Sequence, residues 1–367
     1  MKNKFYIEFI YLILLGALTS LSLPPFNYVV INFLTFSLFF IYIYKKKESS
    51  KKHKGFLYGW FFGFGYFLTN IYWITISLTF DQNFVFLIPL AVTLIPAFLA
   101  IFYGFASYCF FQISIKKPLS NLLLFSLLFG TAEFLRGNIL TGFPWNLIAY
   151  SFSNNLEIIQ VISIIGVYAF NVLCISFFSI PSIFILRENK KEIVACIFLL
   201  LSPIFLFLNG SSKIKSFQSL DVVKNDYLIR TIGSKIALNR FNDSSDPINV
   251  INELINLSEP NKSIKTLFIW PEGIIPNTNQ LDLKQYESFF NQRFNEKHLL
   301  GFGIVSHKNI DDKDLFYNSF SFYDHNLNLV ENYDKINLVP FGEFLPFEKV
   351  LSKLGLKSLT NNYQSFS

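Results

Sequence analysis

The sequence predicts a bundle of membrane-spanning α-helices followed by an external α/β domain, and three observations carry that expectation. Hydrophobic residues make up 52% of the 367, aromatic residues 19%, and Phe alone counts 46, too apolar for an ordinary soluble chain of this length. The excess lies in long apolar stretches within residues 1–210. Beyond residue 210 the texture changes to short alternating polar and apolar runs separated by Asn, Asp and Ser turns. The expected organisation is a transmembrane domain of about seven helices over 1–210 and an external domain over 211–367.

A hydrocarbon core about 30 Å thick needs about 20 helical residues to cross it. Seven stretches reach or approach that length, near 7–23, 28–44, 55–80, 84–115, 119–135, 158–186 and 193–209. Several contain proline (Pro89, Pro96, Pro181, Pro203), which membrane helices tolerate better than soluble ones. Orientation follows from the basic residues between spans. Alternate connections hold thirteen of them, in Lys2 and Lys4, "KKKESSKKHK" (45–54), Lys116 and Lys117, and "RENKKE" (187–192). The intervening connections hold Arg136 alone. Lysine and arginine are retained on the cytoplasmic side, so the N-terminus is predicted cytoplasmic and residues 211–367, after seven crossings, outside. Ser20-Leu21-Ser22 resembles a signal-peptide cleavage site, but cleavage there would leave the remaining topology unchanged.

Charge and cysteine usage exclude other classes. Residues 1–210 carry 14 basic and 7 acidic residues and residues 211–367 carry 17 and 18, so the net +6 belongs to cytoplasmic loops beside anionic lipid. No nucleic-acid footprint remains. Cys109, Cys174 and Cys196 all lie within apolar spans, where they read as small hydrophobic filler. The external part contains no cysteine and hence no disulfide framework. His53, His298, His307 and His325 lack metal-ligand spacing, so neither a metal nor another cofactor is expected.

In the external part, "YLIRTIGSKI" (227–236) reads as a strand and its exit. "DPINVINELINLSE" (246–259) has apolar residues at helical spacing, with Asp246 as N-cap and Pro247 at the first helical position. "TLFIW" (266–270) and "LLGFGIVS" (299–306) read as strands around a helix at 282–297. "LFYNSFSFYDHN" and "LNLVENYDKINLV" read as a strand pair joined near Asn326. Alternating strands and helices argue a sheet with helices packed on it.

Two stretches at strand exits share one grammar. In "FIWPEG" (268–273) an apolar strand meets Pro271, then Glu272, then Gly273. In "YDKINLVPFGEFLPF" (333–347) an apolar run meets Pro340, Gly342, Glu343 and Pro346, with Lys335 at its start. Each acid alone reads by default as a solvated loop charge, and a lone lysine as surface. Together, two carboxylates and an ammonium at the exits of one sheet can converge on one pocket. Such a trio suits covalent catalysis. A carboxylate takes the nucleophile's proton, and the ammonium lowers the nucleophile's pKa and stabilises a tetrahedral oxyanion. In the helical part, Glu133 and Arg136 sit three apart at the outer end of the fifth span and read as a structural ion pair, with lipid-headgroup or substrate contact as the rival. Trp73 and Trp145, near outer span ends, suit interfacial anchoring.

These residues resemble a family. "WPEG", "YNSF" (317–320) and "YDKINLVPFGEFLP" look like the external nitrilase-like domain of bacterial apolipoprotein N-acyltransferases. "LSLPPFN" (21–27), "GWFFGFGYFLTNIYW" (59–73) and "AEFLRGNILTGFPWNLIAYS" (132–151) are similar to the membrane part of the same family. The resemblance covers essentially the whole chain in order. It implies a nitrilase-type α-β-β-α sandwich on an eight-helix membrane base in the bacterial inner membrane, with residues 211–367 periplasmic. It also implies the reaction: a Cys thiolate takes an acyl chain from a phospholipid as a thioester and passes it to the α-amino group of a diacylglyceryl-cysteine at a lipoprotein's N-terminus. By the same resemblance Glu272 is the general base, Lys335 the lysine that stabilises the oxyanion and thiolate, and Glu343 a supporting glutamate. The family's nucleophilic Cys follows the lysine motif, and this chain ends at "LTNNYQSFS" before reaching it. The expectation is therefore a sandwich incomplete at its C-terminus and a chain inactive by itself. The alternatives are a membrane-tethered amidase or nitrilase-type hydrolase using the same trio on water, and a catalytically dead membrane scaffold.

Overall fold

A computed structural model describes residues 2–79, 82–220, 226–234, 246–310, 313–340, 342–344, 349 and 366. Phe80, the strand exit at Lys235 and Ile236, Pro346 and all of the terminal "LTNNYQSFS" but Phe366 lie outside the described residues. The chain forms two compact units, 1–221 and 222–367.

The first unit is helical. It comprises α1 (Lys2–Thr19), α2 (Ile31–Ser49), α3 (Lys54–Ile71), α4 (Ile88–Gln112), α5 (Pro118–Asn138), α6 (Leu156–Ile159), α7 (Ile162–Ser179), α8 (Pro181–Leu186) and α9 (Lys190–Gln218). Short 3-10 turns extend α3 through Thr79 and lead into α4 from Gln82. Among the described residues, five helical segments are long and apolar enough to cross a membrane: 54–79, 82–112, 118–138, 162–179 and 190–218. The first two expected spans also fold as helices but fall short of that standard. The apolar part of the first runs only over Tyr6–Ser22, and α2 ends in the charged run "KKKES". The sixth expected span divides into three helices. The second of these, α7, kinks at Gly166, whose φ of +76° is open to glycine at no steric cost, and Pro181 begins the third. The last helix runs on to Gln218, past the expected boundary at 210. At Gly210 it crosses α6 so closely that a Cβ would overlap the carbonyl of Glu157.

Small residues and aromatic rings fix the packing. A Cβ on Gly59 would collide with the Tyr103 carbonyl of α4, and one on Gly65 with the Ile13 carbonyl of α1. Close backbone approach of this kind gains dispersion contacts where lipid supplies no hydrophobic drive. Between the helices Phe39 stacks on Phe62 at 4.0 Å, and Phe125 and Phe129 close the same core. Within it, Glu133 and Arg136 are fully buried and ion-paired. Arg136 also donates through Nη1 to the Phe143 carbonyl at 2.5 Å, and Tyr103 donates to the second oxygen of Glu133. The pair therefore points into the helical core, which is the structural role rather than headgroup contact. Trp73 and Trp145 stack on each other at 5.3 Å and are both exposed.

The second unit contains β1 (Tyr227–Thr231), α10 (Pro247–Ser258), β2 (Lys265–Ile269), α11 (Glu287–Arg293), β3 (His298–Ile310), β4 (Lys313–Tyr323) and β5 (Leu329–Asp334). Asp246 caps α10 by accepting from the Ile248 amide at 3.0 Å. The strands form one mixed sheet in the order β1-β2-β3-β4-β5. The pairs β1/β2 and β2/β3 are parallel, and β3/β4 and β4/β5 antiparallel. The helix expected at 282–297 is a 3-10 turn over Asp282–Tyr286 followed by α11, and it stops at Arg293. Asn295 ends it: its side chain bonds the Lys262 carbonyl and the Lys297 amide, and its carbonyl accepts from His298, where β3 must begin to pair with β2.

Alternation along the strands gives the sheet two unlike faces. Phe268, Leu300, Phe302, Ile304 and Tyr323 pack with Ile251, Leu254 and Ile255 of α10 and Phe290 of α11 in one core. Trp270, just past β2, is the largest member. It stacks on Phe302 at 5.5 Å and donates its indole N–H to the Ser258 hydroxyl at 2.9 Å. The opposite face carries Ile229, Leu299, Phe320, Phe322 and, at the β4–β5 end, Asn318 and Lys335. The described elements supply one sheet and one helical layer.

Candidate active site

Glu272 is brought to the second face by the break in its own strand. After β2 the chain still follows β3, with the Trp270 amide bonded to the Gly301 carbonyl at 2.9 Å and the Gly273 amide to that of Gly303 at 3.3 Å. Pro271 has no amide for the ladder, and Gly273 takes φ +56°, which favours glycine. Trp270 therefore plugs the helix-covered core, whereas Glu272 lies over Gly303. A Cβ built on Gly303 would stand 2.8 Å from the Glu272 Cα and 3.1 Å from its Cγ. The missing side chain is the seat of Glu272.

Lys335 and Glu343 arrive from the other side. Lys335 follows β5 directly, and its amide bonds to the Asn318 carbonyl at 2.8 Å, one residue beyond the β4–β5 ladder. Its neighbour Asp334 turns to the opposite face and accepts from Lys308, Ser319 and Asn332. Glu343 closes a turn on Val339: its amide bonds to the Val339 carbonyl at 2.9 Å, and its Oε2 accepts from the Val339 amide at 2.7 Å.

The three side chains meet. Lys335 Nζ lies 2.7 Å from Glu343 Oε1 and 3.5 Å from Glu272 Oε1. Their exposures separate their roles: the Glu343 side chain is 13% exposed, Lys335 33% and Glu272 63%. A fourth residue joins them. Asn318 Nδ2 donates to Glu272 Oε1 at 2.6 Å and to Glu343 Oε1 at 2.5 Å. Sequence reasoning gave Asn318 no role. Its signal was its place in "YNSF", on the strand whose alternation also sets Phe320 and Phe322 on this face.

The electrostatics distinguish the carboxylates. Burial alone would raise the Glu343 carboxyl, but hydrogen bonds from Lys335, the Val339 amide and Asn318 outweigh it and hold the group below its usual range. Both Glu343 oxygens are thereby engaged by donors. Burial works to lower Lys335, yet the hydrogen bond to Glu343 and the charges of Glu272 and Glu343 keep it above its usual value, a stable ammonium. Among the described residues Glu272 has Oε1 engaged, and with its larger exposure the second oxygen is the one open to an incoming proton.

Residues 15–180 match the model of the apolipoprotein N-acyltransferase N-terminal domain. The chain is 30% identical over 358 residues to a protein of Brucella melitensis named apolipoprotein N-acyltransferase, covering 94% of this chain and 66% of that one. The chain belongs to the apolipoprotein N-acyltransferase family. A Rhodopseudomonas palustris protein of the same name is 28% identical over 367 residues, 95% of this chain and 67% of its own. A Brucella suis protein, also so named, is 30% identical over 360 residues, 94% and 66%. The chain thus spans about two thirds of the length of these curated N-acyltransferases. Their names denote a transferase, and with five apolar helices of spanning length they support a membrane protein.

Proposed function

We propose that the protein serves the N-acylation of the N-terminal diacylglyceryl-cysteine of apolipoproteins, with a membrane phospholipid as acyl donor. The observation that carries this reading is the division of labour around Lys335: one carboxylate saturated with donors, the other with an open oxygen, and one ammonium reaching both. Glu272 is the general base. It takes the proton of a cysteine thiol, the thiolate attacks the phospholipid ester carbonyl, and the Lys335 ammonium stabilises the resulting oxyanion. Collapse forms the thioester, and the lysophospholipid leaves with the proton from Glu272. In the second half the lipoprotein's α-amine attacks the thioester, Glu272 receives its proton, and that proton returns to the departing thiolate. Glu343 stays ionised and anchors Lys335. Residues 211–367 contain no cysteine, so the steps assigned to them are the acid–base and electrostatic ones.

The basic loops support an N-terminus in the cytoplasm of an inner-membrane protein, with residues 211–367 periplasmic as part of a nitrilase-type sandwich. Apolar side chains on the sheet face that no described helix covers, with Ile229 54% and Leu299 41% exposed, are in keeping with a further layer against that face. The test uses the protein expressed from its own gene, in phospholipid micelles with a diacylglyceryl-cysteine peptide. The expected product is N-acyl peptide, with Glu272→Gln and Lys335→Met each lowering its rate about 10²–10⁴-fold. Transfer by Glu272→Gln within threefold of the parent would remove Glu272 as the base.

A further inference from the structure

We infer that Asn318 is a positioning residue that keeps Glu272 off Lys335, so that one glutamate anchors the lysine while the other remains a base. The inference deepens the acyl-transfer reading and rests on its assignment of Glu272.

The orientation of the Asn318 amide is forced. Its side chain lies between two carboxylate oxygens, which can only accept. Nδ2 must face them, one proton to Glu272 Oε1 at 2.6 Å and the other to Glu343 Oε1 at 2.5 Å. The backbone of the same residue accepts from the Lys335 amide at 2.8 Å. Asn318 therefore touches each member of the trio. It sits inside β4, paired with Val305 on one side, so the reference point is a strand and not a loop.

The charges explain why an amide suits this place. Two carboxylates and one ammonium leave a net negative charge, and both carboxylates are drawn to the same Nζ. Glu343 holds it at 2.7 Å and Glu272 stands off at 3.5 Å. An amide supplies Glu272 with a donor that carries no charge, which satisfies Oε1 without neutralising the carboxylate. A lysine or arginine in this position would pair with Glu272 and weaken it as a base. A carboxylate would add a third negative charge and no donor. Without the amide, Lys335 is the donor nearest Glu272 Oε1, and the base collapses onto it.

Carbodiimide crosslinking of the full protein reads this arrangement directly, because activation of a carboxyl in contact with an amine yields an amide and releases the urea. In the parent protein the Lys335–Glu343 link exceeds the Lys335–Glu272 link, as mass spectrometry of the digest would report. In Asn318→Leu, which keeps side-chain bulk and loses both donors, the ratio of the Glu343 link to the Glu272 link falls at least threefold. The persisting Glu343 link shows that the fold survives. Asn318→Gln, which retains the amide, recovers part of the ratio. In the acyl-transfer assay kcat of Asn318→Leu falls 10-fold or more with KM for the peptide unchanged. An unchanged or increased ratio in Asn318→Leu overturns the inference, whatever happens to kcat. A ratio that falls as stated, in a protein that transfers no acyl chain in any form, supports the positioning role and defeats the acyl-transfer reading instead.

Discussion

Breaking the buried pair of the helical unit should cost more than removing it. Glu133 and Arg136 lie at 0% and 1% exposure, one turn apart on α5. The guanidinium gives Nε and Nη2 to Glu133 and Nη1 to the Phe143 carbonyl, and it lies over the rings of Phe67 and Phe143 at 5.1 and 5.8 Å. Arg136→Met leaves the Glu133 carboxylate in the core with the Tyr103 hydroxyl as its donor, and Glu133→Gln leaves an unpaired guanidinium. An uncompensated buried charge costs about 3–5 kcal/mol. For a unit of this size that corresponds to a fall in melting midpoint on the order of 6–20 °C. The double variant Glu133→Gln/Arg136→Met carries no charge and should lose less than either single variant. The assay is intrinsic tryptophan fluorescence on heating in detergent micelles, for the parent, both single variants and the double. Single-variant shifts under 2 °C, or a double variant whose loss equals the sum of the two, would refute the reasoning.

Further outcomes follow from the second unit and the topology. Gly303→Ala must push Glu272 by about 0.6 Å, from 2.8 Å to the 3.4 Å of ordinary contact; overpacking of this kind costs about 1–3 kcal/mol, and the variant should lose the proposed acyl transfer while Gly233→Ala, whose added Cβ meets no atom of the described residues within 4 Å, keeps it. Trp270→Ala should destabilise the unit by about 3–5 kcal/mol in urea titrations, because it empties the site between Phe290 and Phe302 and removes the indole N–H that the Ser258 hydroxyl accepts. The Glu343 carboxyl is held below its usual range, so its contribution to stability is present above the unfolded value near 4.3 and lost as pH falls through the folded one. Lys335 is raised, so its contribution holds below the unfolded value near 10.4 and disappears as pH rises past the folded one. The midpoint difference between parent and Glu343→Gln should therefore be constant near neutrality and close toward zero below about pH 4. For topology, cysteines introduced at the exposed Ser49 and Ser263 should label from opposite sides of the membrane, and labelling from one side would refute the assigned orientation.

What the sequence determined by itself was whatever short-range pattern and composition can encode. The long apolar runs locate seven long helices, because within lipid a single continuous apolar segment satisfies its own backbone only as a helix. Period-two alternation and the Asp246-Pro247 cap located the strands and α10, because both are local rules. The pairing of Pro271-Glu272-Gly273 with Pro340 to Glu343 marked two strand exits. Tertiary structure decided the rest. The kink of α7 at Gly166 and the stop of α11 at Arg293, two residues ahead of Asn295, depend on what the chain must reach next. That Glu272 faces Gly303, and so stands on the face opposite Trp270, depends on the β2–β3 register. Asn318 became a site residue because β4 and β5 pair with Lys335 one step past the ladder, which brings positions 272, 318, 335 and 343 into hydrogen-bond reach. Local sequence sets which groups are available and where the chain turns, whereas the distances of 2.5–3.5 Å that give those groups their chemistry come from long-range pairing.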